Sequence, residues 1–247
     1  MVKIPSIDDL SKAVVHFGHR ATKRHPKMAP YIQTVKNTIH LINLEKTRQK
    51  LTEALNFISD LSTKDGIIIF VGTKPTAKNI IKKYAEMVEM PYVNERWLGG
   101  TLTNFQTISA LIEKFKRMLK EREGGEWQKY TKKERLDLER ELNRLEKMVG
   151  GIRNLNRLPD ALYIVDIITE ATAVREAKRK KLPVIAIVDT NANPEDVTYP
   201  IPANDDASKS IELITSLVTE AIKEGREKRK KESEKVEEKE DLANKKS

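Results

Sequence analysis

Three unbroken apolar runs, Ile67–Val71, Ala161–Val165 and Pro183–Val188, constrain this chain more than any other feature. A strand with one face in water alternates apolar and polar residues; a run without alternation buries both faces. Each run ends in turn residues: Gly72-Thr73, Asp166 and Asp189-Thr190-Asn191. Helical patterns follow at about 75–89 and 171–181. Pro91–Asn94 and Tyr199–Ile201 read as shorter strands, and a last helix of about 207–223 is capped by Asp205 or Asp206. Strands alternating with helices form βαβ units, so the expected core is a parallel sheet between two helical layers, a three-layer α/β/α arrangement.

The segment 103–149 breaks this rhythm. Ile108, Leu111, Ile112, Phe115 and Leu119 are spaced by three and four, as are Leu138, Leu142, Leu145 and Val149. Between them lie Gly124-Gly125 and a capping Thr131. The pattern predicts an antiparallel helical hairpin with a coiled-coil seam, inserted as a protruding arm. Ahead of the core, Ser6 caps a short helix expected to end near Gly18, and a basic, proline-containing stretch from His19 reads as an extended loop. Tyr31–Val35 and Thr38–Ile42 suggest a hairpin, and Asn43 a cap for a helix reaching about Leu61. Residues 1–102 and 150–225 thus make the α/β core with its basic arm, and 103–149 the hairpin. Residues 226–247 make a charged tail whose low apolar content predicts disorder.

Charge localises the functional surface. The chain carries a formal net charge of +9. Residues 1–50 hold ten basic and three acidic side chains, and residues 111–150 twelve and nine. Residues 151–225 hold nine and twelve, so the core is mildly acidic. Such asymmetry points to a polyanion bound by the arm and hairpin. The absence of cysteine excludes disulfides, thiol catalysis and cysteine-ligated metals. No apolar run is long enough for a membrane span and no secretory leader is visible, so an intracellular protein is expected.

Candidate chemistry is sparse. Gly72-Thr73-Lys74 stands where a phosphate could meet a helix N-terminus, but neither the Walker A nor the GxGxxG spacing is present, and a tight strand-to-helix turn closed by glycine is the better account. His16, His19, His25 and His40 lie among cations, which disfavours a metal; zinc would be the ion if one bound. Asp166, Asp189, Asp205 and Asp206 fall at strand ends, where carboxylates can be catalytic, hold magnesium, or simply cap helices. The string Asn94–Asn104, with Arg96 beside Trp97 and then Gly99-Gly100, suits RNA stacking and equally suits packing between core and hairpin.

The same string, in company with others, resembles a known family. Gly18-His19, Pro26-Lys27-Met28, Pro30-Tyr31-Ile32, Ile39–Thr47, Phe70–Lys74, Asn94–Asn104, Gly150-Gly151, Leu158–Leu162, Ile187–Asn191 and Ile201–Ala207 occur in order at the spacing of the bacterial small-subunit ribosomal protein S-two family. The resemblance spans about residues 5–225. Two departures stand out: Arg24-His25 where members often carry Trp-Asn, and Pro75 where a basic residue often follows the Gly-Thr-Lys. The resemblance implies a flavodoxin-like, Rossmann-like domain with a helical hairpin. It implies a cytoplasmic structural constituent of the small ribosomal subunit with no catalytic activity and no cofactor. Its partners would be small-subunit ribosomal RNA and other subunit proteins, the S-one protein among them.

On this reading the RNA-facing residues are His19, Arg20, Lys23, Arg24, His25, Lys27 and Lys36 of the arm, Arg96, and Lys116, Lys120, Lys132 and Lys133 of the hairpin. Neither a metal, a membrane nor a small-molecule substrate is expected. The rival readings are a nucleotide-dependent enzyme on the sheet edge and a protein adaptor using the hairpin.

Overall fold

The structure, a computed structural model, describes residues 2–244. Five parallel strands form the central sheet: β4 (Ile68–Val71), β5 (Tyr92–Val93), β6 (Ala161–Val165), β7 (Val184–Val188) and β8 (Tyr199–Pro202), in the order β5-β4-β6-β7-β8. Numbered within the sheet, this is the doubly wound order 2-1-3-4-5, with its switch point between β4 and β6.

The apolar runs do what their lack of alternation demands. Ile69, Val71, Leu162, Ile164, Val184, Ala186 and Val188 face one hydrophobic cluster, and Ile68, Phe70, Ala161, Tyr163, Val165, Ile185 and Ile187 face another. The first cluster takes in α4 (Phe105–Glu123), α5 (Lys132–Val149) and α6 (Ala171–Lys180). The second takes in α1 (Ile7–Lys12), α2 (Leu44–Thr63), α3 (Lys78–Glu86) and α7 (Ser208–Asn244). Each fully buried aliphatic side chain contributes on the order of 1.5–3 kcal/mol. Gly225 of α7 lies where α2 passes: a Cβ there would sit 2.4 Å from the Ser59 carbonyl oxygen, so the close approach requires glycine.

Several elements differ from expectation, each for a local reason. A capping box of Ser6 and Asp9 starts α1, but the helix stops at Lys12, and Val14 turns left-handed with φ 63°. The residues read as the end of the first helix and the start of the loop instead form β1 (Phe17–Arg20), which pairs with β3 (Ile39–Ile42) beside β2 (Ile32–Lys36) in an antiparallel three-stranded sheet. Two 3-10 turns, Ala21–Lys23 and Pro26–Tyr31, follow β1. Neither Asp205 nor Asp206 caps α7; the Asn204 side chain accepts from the Asp206 and Ala207 N–H groups instead. The charged tail expected to be disordered continues α7 as helix to Asn244, and residues 245–247 lie outside the described residues. Good helix formers and pairs one turn apart, such as Glu224 with Lys228 at 2.8 Å, favour that extension. Arg229 reaches Asp65 at 2.6 Å.

One buried carboxylate ties the Trp97–Thr103 segment, which leads into α4, to α6. Glu176 of α6 accepts hydrogen bonds from Trp97 Nε1 (3.1 Å), the N–H groups of Gly100 (2.8 Å), Leu102 (2.9 Å) and Thr103 (3.1 Å), and Thr103 Oγ1 (3.1 Å). Burial opposes its ionisation, but these donors outweigh burial and hold its pKa below the ordinary glutamate value. Trp97 is therefore a buried joint residue rather than an exposed stacking plane. Glu176→Ala should strand these donors and destabilise the protein by about 3 kcal/mol. Denaturant unfolding would show it, and a loss under about 1 kcal/mol would contradict the assignment.

Candidate nucleic-acid interface

The three-stranded sheet carries the basic arm, and it is clamped to the carboxyl edge of the parallel sheet. At Gly18 a Cβ would lie 2.5 Å from Thr190 Cγ2, so the strand approaches that loop as only glycine allows. The His19 N–H donates to Thr190 Oγ1 (2.9 Å) and the His25 N–H to the Thr190 carbonyl (2.8 Å). The His19 ring lies between two carboxylates, with Nδ1 3.0 Å from Asp189 and Nε2 3.5 Å from Asp206. Its hydrogen bond to Asp189 raises its pKa against the opposing effect of burial. Lys27 pairs with Glu195, and the His25 Nδ1 accepts from the Lys27 N–H.

Three of the sequence-predicted residues, His19, His25 and Lys27, are thus engaged within the protein. Arg20, Lys23, Arg24 and Lys36 are exposed on the same arm, and none has an ion-pair partner among the described residues. Arg96 is likewise exposed and unpaired among them, as are Lys120, Lys132 and Lys133 on the helical pair α4–α5. Lys116 pairs with Glu113 at 3.1 Å on its own helix. His40 is buried on the inner side of β3, and His16 packs its ring on Phe17 with centroids 4.3 Å apart.

The switch point, where a doubly wound sheet binds a nucleotide, is filled by the protein's own charges. Lys74 reaches Asp166 (3.1 Å), Asp205 (2.9 Å) and Asp206 (2.6 Å). Burial acts against its charge, yet these carboxylates hold its pKa above the ordinary lysine value. The Thr73 N–H, the donor a phosphate would use, is taken by Glu170 at 2.9 Å. A phosphate entering here would meet Asp166, Glu170, Asp189, Asp205 and Asp206 together, so the turn is structural. His19, Asp189, Asp205 and Asp206 present one ligand atom each within 4.8 Å of one another. Lys74 already supplies the cation that two of those carboxylates face. Sequence reasoning named the four aspartates singly; their convergence on Lys74 and His19 depends on strand order, which no local motif encodes.

Burial first, then the charges of Asp189 and Asp166, pushes the Asp205 carboxyl up to about 7. Asp205 and His19 both bind their proton more tightly folded than unfolded. Stability from each is complete below its unfolded pKa and is lost as pH rises through the folded value. The protein should therefore become less stable as pH climbs from about 4 through 7, with His19 extending the loss above its ordinary value of 6.5. Asp205→Asn, which keeps an acceptor for Lys74 without the charge, should flatten that profile in melts at several pH values. A parent profile flat over this range would contradict the cluster's electrostatics.

The sequence also matches a known family and named proteins. The family model described as Ribosomal protein S2 matches residues 10–225. The chain is 50% identical over 222 residues to the protein named Small ribosomal subunit protein uS2 of Bifidobacterium longum strain DJO10A, covering 89% of this chain and 79% of that protein. It is 49% identical, over the same length and shares, to the protein of that name from Bifidobacterium longum subsp. infantis. With that match covering nearly all of its arm, its sheets and the helices α4 and α5, the chain belongs to the ribosomal protein S2 family.

Proposed function

We propose that this chain, a structural constituent of the small ribosomal subunit and not an enzyme, binds small-subunit ribosomal RNA through its arm and hairpin. The observation that carries the reading is the set Arg20 and Lys36 on the strands and Lys23 and Arg24 in the turn after β1: four exposed cations without ion-pair partners among the described residues, on an arm clamped to the core. Arg96, Lys120, Lys132 and Lys133 extend the surface. Each cation that neutralises a phosphate releases counterions, so affinity falls steeply with salt. The α/β core acts as scaffold, and 103–149 acts as a separate RNA-facing insertion. A protein of the small subunit works in the cytoplasm, among other ribosomal proteins.

The S-one protein is the further partner that the family resemblance implies. A cleft of about 860 Å³ lies between the N-terminal ends of β4 and β5, α5 and α7, and five acidic and five basic residues line it. Balanced charge of this kind suits a polypeptide better than a phosphate backbone.

Replacing Arg20, Lys23 and Arg24 together by Ala should weaken binding to small-subunit ribosomal RNA and lower the log–log salt slope by about 2–3. Incorporation into subunits should fall with it, while the melting temperature should hold. Unchanged affinity and slope would remove the arm from the interface.

A further inference from the structure

The outer face of the three-stranded sheet has a composition that phosphate neutralisation alone does not explain. Strand pairing places Phe17 opposite Leu41 and Leu41 opposite Thr34; Arg20 and Lys36 both stand opposite Ile39. Antiparallel partners share a face, and Ile39 and Leu41, two residues apart, share one as well. A register shift between Phe17 and Arg20 inserts one extra residue, and this brings Arg20 to the same side as Phe17. The face is therefore two rows: Phe17, Leu41 and Thr34, then Arg20, Ile39 and Lys36. Phe17 is 40% exposed, Leu41 and Ile39 are half-buried, and the other three are exposed. His40 and Ile42 point the other way and are buried.

We propose that this face is a stacking platform for an unpaired RNA nucleotide, whose base lies on the Phe17 ring while Arg20 and Lys36 hold the adjoining phosphates. The proposal rests on the RNA-binding reading above and names the form of RNA that the arm takes. A duplex keeps its bases stacked on one another and offers no ring face to Phe17; a loop or bulge does. An aromatic side chain on an apolar floor beside uncommitted cations is the combination that single-stranded nucleic acid uses. The strands contain no Asp or Glu, so nothing on the face repels a phosphate. The His16 ring, 4.3 Å from that of Phe17 and tilted by 40°, supports the ring from one side and limits its freedom before RNA arrives.

The experiment uses the full chain and small-subunit ribosomal RNA across a salt series. Phe17→Leu keeps apolar bulk and removes the aromatic face. It should weaken binding about tenfold or more with the salt slope unchanged, the signature of a lost stack rather than a lost phosphate contact. Phe17→Trp should bind like the parent, and its added fluorescence, relative to the parent's buried tryptophans, should be quenched by the RNA. Parent-like affinity of Phe17→Leu, with weakened binding when Arg20, Lys23 and Arg24 are changed, would overturn the platform and keep the arm. Parent-like affinity of both proteins would overturn the RNA-binding arm itself. If Phe17→Leu binds RNA normally but fails to enter subunits, the face docks a protein and the proposal is wrong.

Discussion

A parallel sheet buried on both faces has no side-chain row to spare for function. In this chain nearly every residue of β4, β6 and β7 is committed to one of two hydrophobic clusters, so chemistry is confined to the strand ends and to what is attached there. The order β5-β4-β6-β7-β8 then gathers Lys74, Asp166, Asp189, Asp205 and Asp206 at one edge from sequence positions far apart. Everything distinctive about the molecule follows from how that edge is used.

In nucleotide-binding relatives of this topology the edge is left open and lined with N–H donors for phosphate. Here it is closed from within. Glu170 takes the Thr73 N–H, Lys74 binds three carboxylates, and Asp189 and Asp206 hold the His19 ring. The excess of carboxylates would repel a phosphate, so the same edge that could have made an enzyme instead anchors a cationic sheet. A structural role is thus a consequence of where the charges were placed, with the fold unchanged.

Much of this architecture was legible in the sequence, because it is written in local or periodic signals. The apolar runs marked β4, β6 and β7, and Ser6, Asn43 and Thr131 marked helix starts, each with its side chain accepting from the following turn. What was not legible depends on distant partners. No pattern announces β1, whose pairing is with residues about twenty positions on, across two prolines and two short 3-10 turns. No motif marks Glu176, yet it gathers five donors from the Trp97–Thr103 segment. His19, His25 and Lys27 were grouped with the RNA-facing cations by composition. Their partners, Asp189, Thr190 and Glu195, lie more than 160 residues away.

The clamp explains why a basic segment so short can serve as an interface. Left free, a stretch with two prolines and many charges would be ordered only on binding, at about 1–2 kcal/mol of entropy for each residue fixed. Docking Gly18, His19 and His25 against Thr190 and Asp189 moves that cost into folding, where the hydrophobic layers can offset it. Lys74 binds Asp166, Asp205 and Asp206, and His19 lies between Asp189 and Asp206, so these carboxylates have partners from within the core and the clamp, while Arg20, Lys23, Arg24 and Lys36 have no ion-pair partner among the described residues. The half-buried lysine inside the edge and the exposed cations outside it are therefore two parts of one arrangement: the first is held by the carboxylates of the scaffold, and the second are left to face a polyanion.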